Sequence, residues 1–280
     1  MDVLTNPMYY ALSGAQASLA ESRGRVRVYP AEVGPFLGLP DDAIAEDWAD
    51  AAALVGVGRT AALMRPELPI PDSFKVDQVF DLVQLVAPES FGAEDPEAVV
   101  LGVDDVPEML ALTALTEPGP FRSRTIDFGT YLGLRRDGDL IAMAGERMRP
   151  TGYVEISAVC TDPAYRGQGL ASRLIRAVAA RIEQTGARPF LHTGATNTTA
   201  IRLYESLGFT ITNRMKVTVI KSVESDSWKS SAIRPLSLSG DQRDFWKSKA
   251  RATMWSTHPR LPFQPCQSVF WKSRALATMW

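Results

Sequence analysis

Residues 158–173 read Ala-Val-Cys-Thr-Asp-Pro-Ala-Tyr-Arg-Gly-Gln-Gly-Leu-Ala-Ser-Arg. A strand ends near Thr161, Pro163 stops it, Gly167 and Gly169 allow a tight loop, and a helix begins at about residue 169. Strand, glycine loop and helix N-terminus in that order aim unpaired backbone N–H groups at one point. Such a concavity, aided by the positive end of the helix dipole, holds a phosphate or pyrophosphate. Arg166 and Arg173 are positioned to add charge. The ligand expected here carries a diphosphate.

The flanking sequence fixes the order of elements. Downstream, Leu170, Leu174, Ile175, Val178, Ala179 and Ile182 fall at the spacing of one buried helical face over residues 169–184. Residues 189–193 read as a short strand, 198–207 as a helix closed by Gly208, and 209–220 as a terminal strand or strand pair. Upstream, residues 130–136 and 139–148 flank Asp137-Gly138, a hairpin signal because a type I′ turn needs positive φ at both central residues. A turn at 150–152 leads into a β-branched strand over 153–161. With a strand at 98–103 and a helix from Asp104 to about Thr113, the order is four strands, three of them consecutive and antiparallel, then helix, strand, helix, strand. This is a mixed α/β pattern: a central, mostly antiparallel twisted sheet flanked by helices.

Two other diphosphate readings fail on context. Gly167-Gln-Gly169-Leu-Ala-Ser172 nearly matches the dinucleotide fingerprint, but antiparallel strands precede it and the next strand, Phe190-Leu-His-Thr-Gly194, ends without an acid. No Gly-Lys-Ser/Thr follows the loop, which removes a Walker-type site.

Composition bounds the rest. The chain has 280 residues, 45% hydrophobic and 22% charged, enough for one large or two modest domains. A net charge of -2 gives no global field toward nucleic acid or anionic lipid, and no nucleic-acid or membrane partner is expected. Two cysteines, Cys160 and Cys266, and two histidines, His192 and His258, exclude a disulfide scaffold and a multi-ligand metal site. No export signal or apolar span is visible, so a soluble cytoplasmic protein is the default, consistent with few thiols.

Three regions separate by composition. Residues 1–95 form an N-terminal α+β region, with helices at 8–22 and 43–54 and short strands at 26–29 and 61–64. Residues 96–220 carry the regular pattern above. Residues 221–280 hold ten Lys/Arg against four Asp/Glu and five of six tryptophans, and residues 245–255 return at 270–280 with nine of eleven positions identical. Two copies are too few for a solenoid, and this basic, Ser/Trp-rich tail reads as weakly ordered.

The motifs together resemble one family. Arg166-Gly-Gln-Gly169-Leu-Ala171 is similar to the Arg/Gln-x-x-Gly-x-Gly/Ala loop of the GNAT superfamily of acyl-CoA-dependent N-acyltransferases. Asn197-Thr-Thr-Ala-Ile-Arg-Leu-Tyr204-Glu-Ser-Leu-Gly-Phe209 resembles its second signature, at the expected distance downstream. Residues 144–148 and 155–160 further resemble a bacterial subgroup with a diverged, GNAT-like N-terminal half. The resemblance implies acetyl-CoA as acyl donor and direct attack by a primary amine, on a small molecule, peptide or protein, in a ternary complex. It implies that Val159, Cys160 and Thr161 hold the pantetheine arm, and that Arg166, Gly167, Gln168, Gly169, Leu170, Ala171 and Ser172 hold the pyrophosphate.

It implies, too, that Asn197 orients cofactor or water and that Tyr204 protonates the departing thiolate. A phenol suits that role because its pKa of about 10 exceeds that of a thiol. Many relatives carry Glu where this chain has His192, so the base is open between His192 and Glu155, with Glu146 behind them; an amine of lowered pKa needs none. Cys160 reads as a buried strand-end thiol. The alternative reading is a non-catalytic acyl-CoA-binding module.

Overall fold

The computed structural model describes residues 2–223. In chain order they form α1 (Pro7–Leu12), a small antiparallel sheet of β1 (Glu21–Arg23), β2 (Val26–Val28) and β3 (Leu37–Gly38), then α2 (Ala45–Val55), β4 (Thr60–Arg65) and β5 (Phe74–Val86). There follow β6 (Val99–Leu101), α3 (Val106–Thr116), β7 (Tyr131–Arg136), β8 (Asp139–Glu146), β9 (Tyr153–Thr161), α4 (Leu170–Gln184), β10 (Arg188–Gly194), α5 (Thr198–Ser206) and β11 (Thr210–Ser222). Eight strands make one sheet in the order β4-β11-β5-β10-β9-β8-β7-β6. Every neighbouring pair is antiparallel except β9 and β10. The fold is the mixed α/β architecture read from the sequence.

Local signals explain the second half of the chain. Asp137 (φ 52°) and Gly138 (φ 95°) both take positive φ in the turn joining β7 to β8. The apolar stripe of α4 is buried along its length and packs with Leu134, Ile156 and Leu191 on one face of the sheet. Each large side chain so buried contributes roughly 1.5–3 kcal/mol. Alternate residues of β7 face the other way: Tyr131 packs with Met143 and with Met109 and Leu112 of α3. On that side of the sheet's other half, Met8 and Leu12 of α1 meet Leu82, Phe190 and Met215.

The first half departs from the sequence reading. The helix expected over 8–22 stops at Leu12, because the side chain of Gln16 turns inward: its amide donates to the Arg147 carbonyl (2.7 Å) and its carbonyl accepts from the Tyr29 hydroxyl (2.7 Å). A short 3-10 turn and β1 occupy the rest. Where residues 209–220 read as a strand or a strand pair, one bulged strand, Thr210–Ser222, forms. Most consequentially, β5 was not foreseen, and it lies between β10 and β11, so strands on both sides of residue 95 share one sheet. The compositional boundary there does not separate two sheets. Residues 224–280, with the repeat and most of the basic stretch, lie outside the described residues.

Candidate active site

β9 and β10 pair only from Arg188↔Tyr153 to Phe190↔Glu155. Beyond that point β10 stays with β5 and β9 stays with β8, so the parallel strands diverge and open a cleft of about 770 Å³. A bulge accompanies the divergence. Met143 pairs with Cys160 and Gly145 with Ser157, which sets Ala158 and Val159 against Ala144 alone, and Ala158 sits at φ 52°. Nothing in the sequence marks that bulge, since alanine has no preference for positive φ.

One wall of the cleft is backbone. Gly167 (φ 78°) and Gly169 (φ 75°) face open space: a Cβ on either would meet nothing within 4 Å. Leu170, Ala171 and Ser172, the first turn of α4, line the cleft beside them, and first-turn N–H groups have no acceptor within a helix. Arg166 lines it too, with Nε directed at the Thr161 carbonyl (3.4 Å). Thr161 Oγ1 is a buried atom with no hydrogen-bond partner among the described residues. An open glycine loop, a helix N-terminus, one arginine and one orphaned hydroxyl fit a diphosphate-bearing molecule with an arm lying along Val159, Cys160 and Thr161.

Two expected contributors are elsewhere. Gln168 does not line the cleft. Arg173 forms a bidentate pair with Asp95 (2.6 and 2.8 Å) and reaches Glu97 (2.9 Å), which leaves it no role at the loop.

Tyr204 lines the cleft from α5, 8% exposed, and burial pushes its phenol up to about 12, so it holds its proton at neutral pH. Asn197, also at the cleft, caps α5: its Oδ1 accepts from the Ala200 amide (3.1 Å). The Cys160 thiol is buried and pushed up to about 11, chiefly by desolvation, which makes it inert.

Behind the other wall runs a chain of buried side chains. Arg147, which lines the cleft and which the sequence reading passed over, grips Glu155 with two parallel hydrogen bonds (Nε to Oε2, 2.7 Å; Nη2 to Oε1, 2.6 Å). The Arg147 guanidinium also lies over the Phe36 ring, 5.3 Å from its centroid. Glu155 Oε1 is 2.7 Å from His192 Nδ1, and His192 Nε2 is 2.9 Å from Gln84 Nε2. Gln84 completes the chain by accepting from Asn213 Nδ2 (2.7 Å).

This arrangement bears on the choice of base that the sequence leaves open. Burial alone would raise the Glu155 carboxyl, but the Arg147 charge and its hydrogen bonds, joined by His192, hold it down at about 2. Its side chain is 0% exposed and it does not line the cleft. His192 does line the cleft, but its side chain is 0% exposed with both ring nitrogens engaged. Glu146 does not line the cleft and is paired with Arg149, although burial raises its carboxyl. Neither first-choice residue has an unoccupied lone pair at the cleft surface. A signal for Gln84 did exist: it is the lone polar residue in the run Leu82-Val-Gln-Leu-Val86.

Comparison with known proteins agrees with the geometry. A family profile described as FR47-like protein matches residues 131–217, from β7 into β11. A crystal structure of a GNAT-family protein from Novosphingobium aromaticivorans is 42% identical, with a TM-score of 0.73, over 79% of this chain and 99% of that one. The chain belongs to the GNAT family. The N-alpha-acetyltransferase RimI of Mycobacterium tuberculosis is 35% identical over 83 residues, 28% of this GNAT chain and 51% of the relative, so the match spans about half of that protein. A GCN5-related N-acetyltransferase from Kribbella flavida shares the fold at 16% identity and a TM-score of 0.50, over 78% of this chain and 95% of that one. Among the described residues no His, Cys, Asp and Glu cluster has a metal site's composition, and no helix is long and apolar enough to cross a membrane.

Proposed function

We propose that this protein is an N-acetyltransferase that moves an acetyl group from acetyl-CoA to a primary amine, by direct attack within a ternary complex. The observation that carries the proposal is the divergence of β9 from β10 beside a glycine loop and helix N-terminus, with a protonated phenol on the same cleft. When bound, acetyl-CoA supplies an activated thioester. The loop at Gly167 and Gly169 and the first turn of α4 bind its diphosphate, and the β9 edge from Val159 to Thr161 orients the arm. The amide near Val159 stabilises negative charge developing on the thioester oxygen. As the amine nitrogen bonds to the carbonyl carbon and the carbon–sulfur bond breaks, Tyr204 gives its proton to the sulfur and regains one, through solvent, from the new amide nitrogen.

Membership of the family supports acyl-group chemistry, and the mycobacterial relative's name recommends a peptide α-amine as one acceptor to test, beside small amines and lysine. Incubating the protein with acetyl-CoA and a pooled amine panel tests the reading by thiol release. Acceptor-dependent release is expected. Tight acetyl-CoA binding without release by any amine would favour a cofactor-binding module instead.

A further inference from the structure

The buried chain behind the cleft has a defined polarity. Gln84 Nε2 lies 3.0 Å from the backbone carbonyl of Leu4. A carbonyl oxygen only accepts, so the Gln84 amide group must point its NH₂ that way, and the Asn213 amide supplies the matching donor to Gln84 Oε1. The same NH₂ faces His192 Nε2 at 2.9 Å, and that nitrogen must therefore accept. The proton of the imidazole then sits on Nδ1 and is donated to Glu155 Oε1. We infer that Gln84 is a positioning residue of the transfer site. By donating to Nε2 it holds His192 in the Nδ1–H tautomer and withholds the imidazole from the acceptor, so the amine loses its proton to solvent before it attacks.

Every group around the ring supports that state. Glu155 on β9 is ionised and clamped by Arg147 just beyond β8; Asn213 on β11 and Gln84 on β5 are neutral amides. The Phe190 ring stands edge-on, 5.6 Å away. Tyr29 and Tyr131, whose phenols feel the Arg147 and Glu155 charges, are raised by burial and stay protonated. No carboxylate on any of these elements approaches Nε2 among the contacts of the described residues.

The inference rests on the acetyl-transfer reading and narrows its substrate class. With His192 and Glu155 both withheld as bases, the acceptor's own acidity decides how much neutral amine is present. An α-amine, with a pKa near 8, is roughly 250-fold more available at pH 7 than a lysine side chain near 10.4.

Two measurements test it. In the ¹⁵N spectrum of the labelled full chain, which has only two histidines to assign, His192 is expected as the Nδ1–H tautomer at pH 7.5. An Nε2–H or doubly protonated ring overturns the inference. Then kcat/KM is followed against pH for a peptide α-amine and for a lysine side chain on an N-terminally blocked peptide. The inflection should move by about two units with the acceptor; an inflection common to both overturns the inference. Gln84→Glu replaces the donor with an acceptor at Nε2, so it should give a doubly protonated ring and a new inflection shared by all acceptors. If no amine is acetylated, the activity reading fails separately, and the nitrogen spectrum still decides the tautomer.

Discussion

The two walls of the cleft are made of different materials. The Gly167–Gly169 side is backbone: amide groups at a loop and a helix start, with side chains kept out of the way. Behind the opposite side runs a row of side chains, Arg147, Glu155, His192, Gln84 and Asn213, drawn from four strands and a loop, of which Arg147 and His192 line the cleft. A backbone wall forms from a few adjacent residues and fails when something is added to it. A side-chain wall depends on partners far apart in the chain and fails when something is taken away.

The contrast predicts opposite sensitivities. On the backbone wall, Gly169→Glu should abolish acetyl-CoA binding in calorimetry, because a charged side chain would fill the concavity from a residue held at positive φ. Retained affinity would remove the loop from the site.

On the side-chain wall, Glu155→Gln leaves the Arg147 charge buried without its counter-ion, and a loss of about 3–5 kcal/mol in urea unfolding is expected. The same residue fixes a pH dependence. Its folded carboxyl lies below its unfolded value, so its contribution is complete above about pH 4.5 and is lost as the pH falls toward 2. Wild type should therefore lose stability between pH 5 and pH 3 more steeply than Glu155→Gln does. Parallel acid profiles would mean that the pair contributes nothing net.

Tyr204→Phe touches neither wall's construction. Turnover should fall about 10- to 1000-fold with acetyl-CoA affinity nearly unchanged. An unaltered rate would mean that solvent protonates the leaving thiolate. The smallest effect is expected at the rim, where Glu117 caps α3 in the left-handed region (φ 49°, ψ 54°). Glu117→Gly should raise stability by about 1 kcal/mol, read as a melting temperature about 2–4 °C higher. A lower melting temperature would show that the glutamate side chain holds the rim in place.

What was legible in the sequence follows the same division. The hairpin at Asp137-Gly138, the α4 stripe and the loop from Arg166 to Ser172 are set by residues within one or two turns of each other, and each lies where its spacing put it. Tyr204 was legible for the same reason, as part of an unbroken motif on one helix. The partners of His192 were not, because Gln84 is 108 residues away, and a histidine reads identically whether its nitrogens are free or occupied. Arg147 sat beside a turn, and its direction toward Glu155 depends on the β8–β9 register. β5 escaped notice because its first half, with Lys75, Asp77 and Asp81, reads as exposed chain, and only the fold shows that its second half enters the core. The bulge at Ala158 left no trace, since the backbone there bends where β9 stays with β8 and parts from β10.

The place of β5 has a consequence for how the molecule is made. Both of its sheet neighbours are synthesised later: Val86 pairs with Phe190 and with Thr210, so the strand leaves the ribosome about a hundred residues before its first partner. At ordinary elongation rates that interval is roughly 5–20 s. During it Leu82-Val-Gln-Leu-Val86 is an unclaimed apolar strand, the kind of segment that nascent-chain chaperones shield and that pairs with other copies when left bare. The centre of the sheet is therefore its last seam to close, and a ribosome that stalls before β11 leaves a chain whose middle cannot be finished.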